Sequence, residues 1–571
     1  MINKVSNIGM MGNVFRPMAG LDSVFGYDIA VDDNAKAMLE FGKQDKITYF
    51  YEPLQFQQLA IKRKFQALSH ENKTETTLEF YSELDLLTKK ESVDIDVLHN
   101  VGMEFLPQLS MREFISKKLF PITYTIHGAS YPNYIENFYL MMLLTPIRPF
   151  DSLICTSESV KTAVKTILDN ISDSLNRSYN TSIKYKGRLD VIPLGVDTEK
   201  FTFRDNRPIR MEMNIPEDAF VILWIGRLSA YDKADLLPLL IVFKRLLEKN
   251  PNQNLMLLIA GHDRASLPFL PAVEDKMNQL GIKDKVRIIE KNDVAKRHLL
   301  FSAADVFTSP ADNLQETFGI TPIEAMASGI PQVVSDWDGY KDTVEHGRTG
   351  FLIPTYWTGC DDDIRRAPMV FTDVNNRYGL HHLMLSQSVA VDMHLYERAF
   401  QDLIDDPELR KTMSLNSIER AKEKFSWKKV IRQYEDLWQE LMTVRDQCEE
   451  TYNEKQAREK EFEFMRPIYC KAFADYPTRF LGIESEAIIT SEGRMTLLNE
   501  DQLPFHYEIE NLLNEPKIGL LILKEMVKTA DGTISMKECI NVFKSNYHED
   551  SIKRSFMWLI KHGLTNLKNN V

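Results

Sequence analysis

The chain has few cysteines, and they do not form a recognisable framework. Five of them are scattered over 571 residues, and no two form a Cys-x-x-Cys pair. This odd, dispersed set argues against a disulfide-stapled domain or a zinc ribbon and predicts reduced thiols in the cytosol.

Long apolar runs are lacking as well. No uninterrupted apolar segment reaches the ~20 residues that a membrane-spanning helix needs. The N-terminal residues Met-Ile-Asn-Lys-Val-Ser-Asn lack the apolar core of a signal peptide. These absences predict a cytoplasmic protein, either free or attached peripherally to the inner face of the membrane.

The chain also lacks an excess of basic residues. Its formal net charge is −13, so its overall charge does not favour nucleic acid as a partner. Hydrophobic residues make up 44% and charged residues 26%, which is typical of a globular protein. The length exceeds what one hydrophobic core organises and predicts about three or four domains.

Short apolar runs alternate with longer helical patterns from about residue 45 to residue 356. Most of the runs are apolar throughout, as in strands buried on both faces of a parallel sheet. The first series of predicted strands is 47–51, 96–99, 122–126, 152–156 and 190–193, and the second is 220–225, 255–260, 286–289, 305–308, 332–335 and 351–353. Two such series predict two doubly wound, Rossmann-like α/β domains that face a ligand cleft at the carboxyl ends of their strands.

The predicted domain boundaries follow from these two series. Residues 1–205 form the first domain, and residues 206–425 form the second. A helix at 426–445 crosses back to the first domain. A charged stretch then leads into a small, mostly helical domain, so that 446–571 is an appendage.

One motif separates Glu316 from Glu324 by eight residues, with a Phe-Gly turn between them. The pattern predicts a helix that has Thr321 as its N-cap. Main-chain amides behind Gly319 and the positive end of the helix dipole would bind an anion. The motif therefore suits a phosphorylated, hydroxyl-rich ligand such as a nucleotide sugar. The alternative is a capping box, in which Glu324 only caps its own helix.

Two cations follow the predicted strand at 220–225. Arg227 comes directly after Gly226, and Lys233 lies six residues further on. An arginine fork can grip a diphosphate at the end of a strand, and a lysine adds a point charge. The alternative is a pair of ordinary surface cations.

His127 follows the predicted strand at 122–126. A histidine at that edge can hydrogen-bond a sugar hydroxyl or the charge that develops at a reaction centre. His99, at the end of the strand at 96–99, competes for the same role, and a lone histidine is often structural.

Together these landmarks resemble the retaining glycosyltransferases of family 4, a GT-B group that includes glycogen synthase and mannosyltransferases and is also known as glycosyl transferases group 1. The resemblance rests, in chain order, on His127, residues 151–157, residues 191–197 with Phe201, Gly226-Arg227 with Lys233, Ala260-Gly261, the two glutamates and residues 347–352. The ordered set covers about residues 95–355, and a looser likeness extends from about 20 to 442.

The resemblance implies transfer of a hexosyl group, with retention, from a UDP- or GDP-sugar to a hydroxyl of a saccharide, lipid or small molecule. Arg227 and Lys233 would hold the donor diphosphate, and Glu324 would bind the ribose hydroxyls. Glu316 would contact the transferred sugar, which His127 would approach from the first domain.

The resemblance also implies that main-chain amides cradle the donor phosphate and sugar, at Phe318, Gly319, Ile320 and Thr321. Gly26 is the candidate for the glycine-rich loop of the first domain, in a region that departs from the usual Gly-Gly. Base contacts would come from residues near 289–292. The family needs no cofactor and usually no divalent metal, so the acidic residues at 361–363 are predicted to be a solvated loop. Residues 356–391 are longer than the usual connection.

The appendage contains three amphipathic segments, at 518–528, 535–543 and 549–562, with the spacing of a winged-helix unit. Nine Lys and Arg oppose five Asp and Glu from residue 516 onward. This modest excess favours a protein–protein module, including one that forms a homo-oligomer, over DNA binding. The appendage also supports an alternative function, a non-catalytic nucleotide-sugar sensor, against which the complete set of donor-binding residues argues.

Overall fold

The computed structural model describes residues 5–12, 14–15, 26–51, 58–71, 74–82, 93–100, 106–116, 118–131, 134–263, 268–290, 297–366, 382–448, 468–498 and 515–568. These residues form two parallel sheets with flanking helices and a third, smaller unit that has its own sheet.

The first domain is built on a seven-stranded sheet. Its strands are β1 Asn7–Met11, β2 Lys46–Tyr51, β3 Thr77–Ser82, β4 Val97–Asn100, β5 Ile122–Thr125, β6 Ser152–Cys155 and β7 Arg188–Val191. All neighbours pair in parallel, in the order β3-β2-β1-β4-β5-β6-β7. The strand order reverses between β1 and β4, the type of position at which doubly wound sheets bind ligands.

Helices cover both faces of this sheet. They are α1 Gly26–Phe41, α2 Gln58–Glu71, α3 Leu106–Ser110, α4 Leu140–Leu144 and α5 Glu158–Tyr179, with wider helical turns at Met111–Ile115 and Tyr134–Tyr139. The sequence of α5 favours a helix, because the buried residues Val160, Val164 and Leu168 recur at four-residue spacing and form one apolar face. The Ser157 hydroxyl accepts the Val160 N–H and caps the helix.

The second domain repeats this architecture with six strands. They are β8 Phe220–Ile225, β9 Leu255–Ala260, β10 Val286–Ile289, β11 Val306–Ser309, β12 Gln332–Ser335 and β13 Gly350–Ile353. They pair in parallel in the order β10-β9-β8-β11-β12-β13. The flanking helices are α6 Arg207–Glu212, α7 Leu237–Lys249, α8 Leu270–Leu280, α9 Arg297–Ala303, α10 Ile320–Ala327 and α11 Tyr340–Thr343, with a single turn at Lys283–Lys285.

A long excursion follows β13. Its base is a two-stranded antiparallel ladder between β14 Thr355–Tyr356 and β15 Ala390–Val391. Within it lie α12 Asp362–Arg366 and a helical turn at 382–386. The chain then continues through α13 Met393–Asp405, α14 Pro407–Arg420, the turn Ala421–Phe425 and α15 Trp427–Gln447.

Helix α15 belongs to the hydrophobic core of the first domain although it follows the second domain in sequence. Trp438 and Leu441 are fully buried there, in a cluster with residues of β1, α1 and β2. A bridge between Val196 and Ser426 brings the two interdomain connections together. The helix thus ties the second domain back onto the first.

The third unit is a small α/β module. Its helices are α16 Tyr469–Ala472, α17 Ser491–Leu498, α18 Glu515–Met526, α19 Met536–Phe543 and α20 Glu549–Lys561, and its strands are β16 Glu486–Ile489, β17 Thr533–Ser535 and β18 Thr565–Leu567. The strands pair antiparallel in the order β17-β16-β18. The core includes Ile518, Ile522 and Phe556, so α18 and α20 pack through their apolar stripes.

Three predictions about secondary structure need correction. Strands β1 and β3 were missed, because Asn7 and Gly9 weaken the apolar pattern of β1 and polar residues interrupt that of β3. Strand β7 lies two residues before its predicted bounds, because Arg188 and Asp190, which pair on the strand surface, concealed it. The predicted mostly helical appendage also contains a three-stranded sheet, whose strands have only three or four residues.

The helices that the structure describes include none that is both long and apolar enough to span a bilayer.

Candidate functional site

The predicted site residues meet in one cleft between the two sheet domains. The residues of the cleft wall that matter here are Gly26, Tyr27 and His127 from the first domain, and Arg227, Asp232, Lys233, Arg297, Gln315, Glu316, Phe318, Gly319, Ile320 and Thr321 from the second. Glu324 is the one predicted site residue outside this wall.

The turn before α10 differs from the prediction. Its N-cap is Gly319, with φ 92°, and no side chain caps the helix. A Cβ at this position would lie 2.3 Å from the Tyr340 ring, so both conformation and space require glycine. The predicted N-cap at Thr321 and the capping-box alternative for Glu324 are therefore wrong. The glycine makes the turn and leaves the first turn of the helix facing the cleft.

Glu324 is engaged by another side chain instead. Its side chain is 2% exposed, and Oε1 accepts a hydrogen bond from Nη2 of Arg297. Burial raises the pKa of Glu324 to about 7, although the charge of Arg297 opposes that rise. Sequence reasoning missed Arg297, because nothing in the sequence around α9 links it to the helix that carries Glu324.

Glu316 and Lys233 form an ion pair at the centre of the cleft. Lys233 Nζ lies 3.0 Å from Glu316 Oε2, and the glutamate side chain is 11% exposed. Burial acts to raise the pKa of Glu316, but Lys233 and the amides of Thr317 and Phe318 outweigh it, so the pKa is lowered. Glu316 is therefore a carboxylate at neutral pH.

Arg227 also has an acidic neighbour. Its Nη2 lies 3.2 Å from Asp232 Oδ2, and the side chain of Asp232 is 1% exposed. Sequence reasoning missed Asp232, although its position directly before Lys233 was a signal. The landmark Ala260-Gly261 lies at the end of β9, beside the end of β8. A Cβ on Gly261 would lie 1.7 Å from the carbonyl oxygen of Gly226. Only glycine permits this close approach beside the arginine.

Asn313 organises the loop that carries Glu316. Its Oδ1 accepts the N–H groups of Gln315 at 2.8 Å and Glu316 at 3.2 Å. Its Nδ2 donates to the carbonyl oxygen of Lys233 at 2.5 Å. One fully buried carboxamide thus fixes both members of the central ion pair relative to each other. The bond from the Gln315 N–H, two residues further on, is that of an Asx turn, a signal that sequence reasoning overlooked.

The two candidate histidines have different environments. His127 lies in the cleft wall, with its ring 5.1 Å from the Tyr27 ring in an edge-to-face arrangement. His99 is fully buried and packs against Tyr434 and Trp438 of α15. Burial lowers the pKa of His99 to about 3, so it stays neutral in the core. Only His127 is placed to meet a ligand.

Hydroxyl groups connect the first domain to the loop that carries Glu316. Thr156 Oγ1 and Ser157 Oγ donate to the carbonyl oxygen of Thr317 at 3.1 and 2.9 Å. The Thr317 hydroxyl in turn donates to the carbonyl oxygen of His127 at 3.4 Å. The position of Glu316 therefore depends on how the two domains meet.

The remaining predictions concern residues elsewhere. The acidic residues at 361–363 are exposed and lie outside the cleft wall, as a solvated segment would, but Asp362 and Asp363 belong to the first turn of α12 and not to a loop. No group of three or more His, Cys, Asp or Glu within the described ranges could hold a metal ion. Residues 291–292 of the predicted base contacts, and 19–25 of the loop before Gly26, lie outside the described residues.

A family model supports the assignment of the second domain. The model "Glycosyl transferases group 1" matches residues 205–367. This range includes the Arg227–Lys233 segment, both glutamates and all six strands of the second sheet.

The chain is similar to curated D-inositol 3-phosphate glycosyltransferases. It is 31% identical to the one from Mycobacteroides abscessus over 171 residues, which cover 30% of this chain and 37% of the relative. It is 25% identical to the one from Corynebacterium efficiens over 260 residues, 45% of this chain and 52% of the relative. The chain thus spans between about a third and a half of the length of these relatives.

Solved structures similar to this chain include a sucrose-phosphate synthase from Thermosynechococcus elongatus, with TM-score 0.47 and 17% identity over 77% of this chain and 100% of that one. They also include Anabaena Alr3699/HepE in complex with UDP, with TM-score 0.47 and 15% identity over 76% of this chain and 98% of that one. Residues 205–367 thus match the glycosyl transferases group 1 family, and the two doubly wound domains that face one cleft have the arrangement of the GT-B fold.

Proposed function

We propose that this chain is a retaining hexosyltransferase that uses a UDP- or GDP-sugar as donor, a hydroxyl group as acceptor and no divalent metal. The observation that carries the proposal is the convergence of Arg227, Lys233, Glu316 and the turn before α10 on one wall of the cleft, opposite His127. The curated relatives, which are named as glycosyltransferases, support the same reaction class.

The donor diphosphate binds where positive charge is concentrated. Arg227 supplies a planar fork, Lys233 supplies a mobile ammonium group, and the first turn of α10 supplies main-chain amides and the positive end of its dipole. These groups offset the charge that accumulates on the leaving nucleotide. In many phosphate reactions a divalent cation offsets this charge. The proposed mechanism assigns that task to the two cations and the helix end instead.

The transfer step breaks the bond between the anomeric carbon and the diphosphate oxygen. A bond forms between that carbon and the acceptor oxygen on the same face, and the acceptor proton passes to an oxygen of the departing diphosphate. The products are the glycosylated acceptor and the free nucleoside diphosphate. The Glu316 carboxylate stabilises positive charge on the sugar ring during this exchange, and His127 binds a sugar hydroxyl from the opposite wall.

Replacement of Arg227 tests the donor site. We expect Arg227→Met to weaken binding of the preferred nucleoside diphosphate by about thirtyfold, because a charged hydrogen-bond partner worth about 2 kcal/mol is lost. Affinity for the corresponding nucleoside, without phosphates, should not change. Isothermal titration calorimetry with UDP, GDP, ADP and their nucleosides measures both.

Arg207→Met is the matched control, because that arginine is 72% exposed and pairs only with Asp205 among the described residues. It should bind nucleotides like the unaltered chain. Normal diphosphate affinity in Arg227→Met would show that the donor site lies elsewhere. If the unaltered chain neither binds a nucleoside diphosphate nor hydrolyses a nucleotide sugar, the proposed function is wrong.

Removal of divalent metal tests the mechanism separately. We expect nucleotide release from the donor sugar to keep its rate in excess EDTA, because two cations and a helix terminus carry the charge of the leaving group. A coupled assay for released nucleoside diphosphate measures the rate. Complete loss that Mg²⁺ or Mn²⁺ restores would contradict the metal-independent mechanism.

A further inference from the structure

Arg297 lies between the cleft and Glu324. It is the first residue of α9, and its side chain is 15% exposed, compared with 2% for Glu324. Arg297 forms part of the cleft wall, whereas Glu324 does not. A ligand in the cleft therefore meets the guanidinium group before it meets the carboxylate.

The position of Arg297 fits the nucleoside end of the donor. It follows β10, which is separated from β8 by β9 in the second sheet. Arg297 and Arg227 both form part of the cleft wall, on segments that follow different strands of this sheet. A nucleotide whose diphosphate is held by Arg227 can therefore extend along the same wall towards Arg297 with its nucleoside end.

The Arg297–Glu324 pair has unused hydrogen-bonding capacity. Arg297 Nε and Glu324 Oε2 are both buried, and neither has a hydrogen-bond partner among the described residues. A buried polar atom without a partner costs about 1–3 kcal/mol, so two at one place call for an explanation. One atom is a donor and the other an acceptor. A hydroxyl group can serve both, and a ribose presents two adjacent hydroxyls.

The charges around Glu324 support an acceptor role. Burial is the largest influence and raises its pKa, and the charge of Arg297 is the first that opposes this rise. Arg297 also lies 5.9 Å from the centre of the Phe201 ring. Arg297 thus favours the ionised form of Glu324, in which both oxygens accept hydrogen bonds.

We propose that Arg297 is a donor-binding residue that contacts the ribose hydroxyls of the nucleotide, and that Glu324 binds the ribose only in combination with it. This inference rests on the proposed function and adds a residue to its donor site. It also predicts that the two side chains act as one unit, so that the loss of either removes most of the contribution of both.

The experiment compares Arg297→Met, Glu324→Gln and the double variant. Calorimetry is carried out with UDP and GDP and with their 2′,3′-dideoxy analogues. We expect each single variant to bind the preferred nucleoside diphosphate about tenfold more weakly. The dideoxy analogue, which binds the unaltered chain more weakly, should lose little further affinity. The double variant should resemble the single variants, because coupled residues are not additive.

Controls separate binding from folding. Arg245→Met, at an arginine that is 46% exposed and pairs with Glu397, should have no effect. Melting temperatures report folding of every variant. If Arg297→Met leaves Glu324 as an isolated buried charge and does not fold, the double variant, which removes both charges, provides the same test.

Several outcomes would overturn the inference. If Arg297→Met binds the nucleotide as well as or better than the unaltered chain, Arg297 only covers Glu324. If the double variant still discriminates against the dideoxy analogue as the unaltered chain does, the pair does not read the ribose. In both cases the unaltered chain binds nucleotide, so the proposed function survives. Failure of the unaltered chain to bind UDP, GDP or ADP removes both.

Discussion

Glu316→Gln should lower sugar transfer by about a hundredfold and leave nucleotide affinity nearly intact. The glutamate is held as a carboxylate in the cleft, so glutamine preserves its shape but removes its charge. A carboxylate beside the sugar ring stabilises a transition state with positive character, and the loss of one such preorganised interaction costs about a hundredfold or more. That factor corresponds to about 2.7 kcal/mol of barrier.

The pairing with Lys233 makes this prediction selective. Without the carboxylate, the ammonium group at 3.0 Å loses its counter-charge, and its own charge remains available to the diphosphate. Nucleoside diphosphate affinity should therefore stay constant or rise. Nucleotide release from the donor sugar, calorimetry and melting temperature are measured together. Glu419→Gln is the control, because its side chain is 56% exposed and reaches only Arg348 among the described residues. Unchanged turnover in folded Glu316→Gln would contradict the assignment of Glu316 to the reaction centre.

The fold was largely predictable because both sheets are parallel and buried. Strands β8, β9, β10 and β12 have their predicted bounds, and β8 and β9 are almost wholly buried apolar runs. The missed strands are those whose apolar pattern is interrupted by glycine or by polar residues. Strand β1 includes Gly9, where a Cβ would lie 2.6 Å from Ile95. The sequence cannot show that this glycine makes room for the neighbouring chain.

Cleft residues that a local sequence pattern marks were predictable. A contact between two residues that are distant in the sequence was not. Arg227 and Lys233 follow a strand end and Glu316 precedes a glycine turn, so the local pattern marked all three. The partners Arg297 and Glu324 are 27 residues apart and meet only through packing of α9 against α10. Local reasoning therefore kept a capping box as the alternative role of Glu324, which the turn at Gly319 excludes.

A buried charge cluster explains another of the landmarks. Asp151 opens the segment at 151–157, and its carboxylate binds Arg112 through two hydrogen bonds of 2.6 and 3.0 Å. It also accepts the N–H groups of Ile122 at 2.9 Å and Arg148 at 2.8 Å. Asp151 thus fixes the start of β5 against the start of β6, at the opposite end of β5 from His127. In this structure Asp151 stabilises the first sheet and is not part of the cleft.

Arg112→Met should destabilise the chain by about 3–5 kcal/mol, because it leaves the buried carboxylate of Asp151 without its counter-charge. The side chains of Arg112 and Glu113 are 0% exposed and that of Asp151 is 1% exposed, so water cannot replace the guanidinium group without opening the core. Lys118→Met is the control: its pair with Asp94 is 70% and 73% exposed and should contribute no more than about 1 kcal/mol. Urea unfolding followed by tryptophan fluorescence, which includes the core residue Trp438, measures both variants. If Arg112→Met is as mild as Lys118→Met, the cluster does not hold the two strands together, and the landmark at Asp151 needs another explanation.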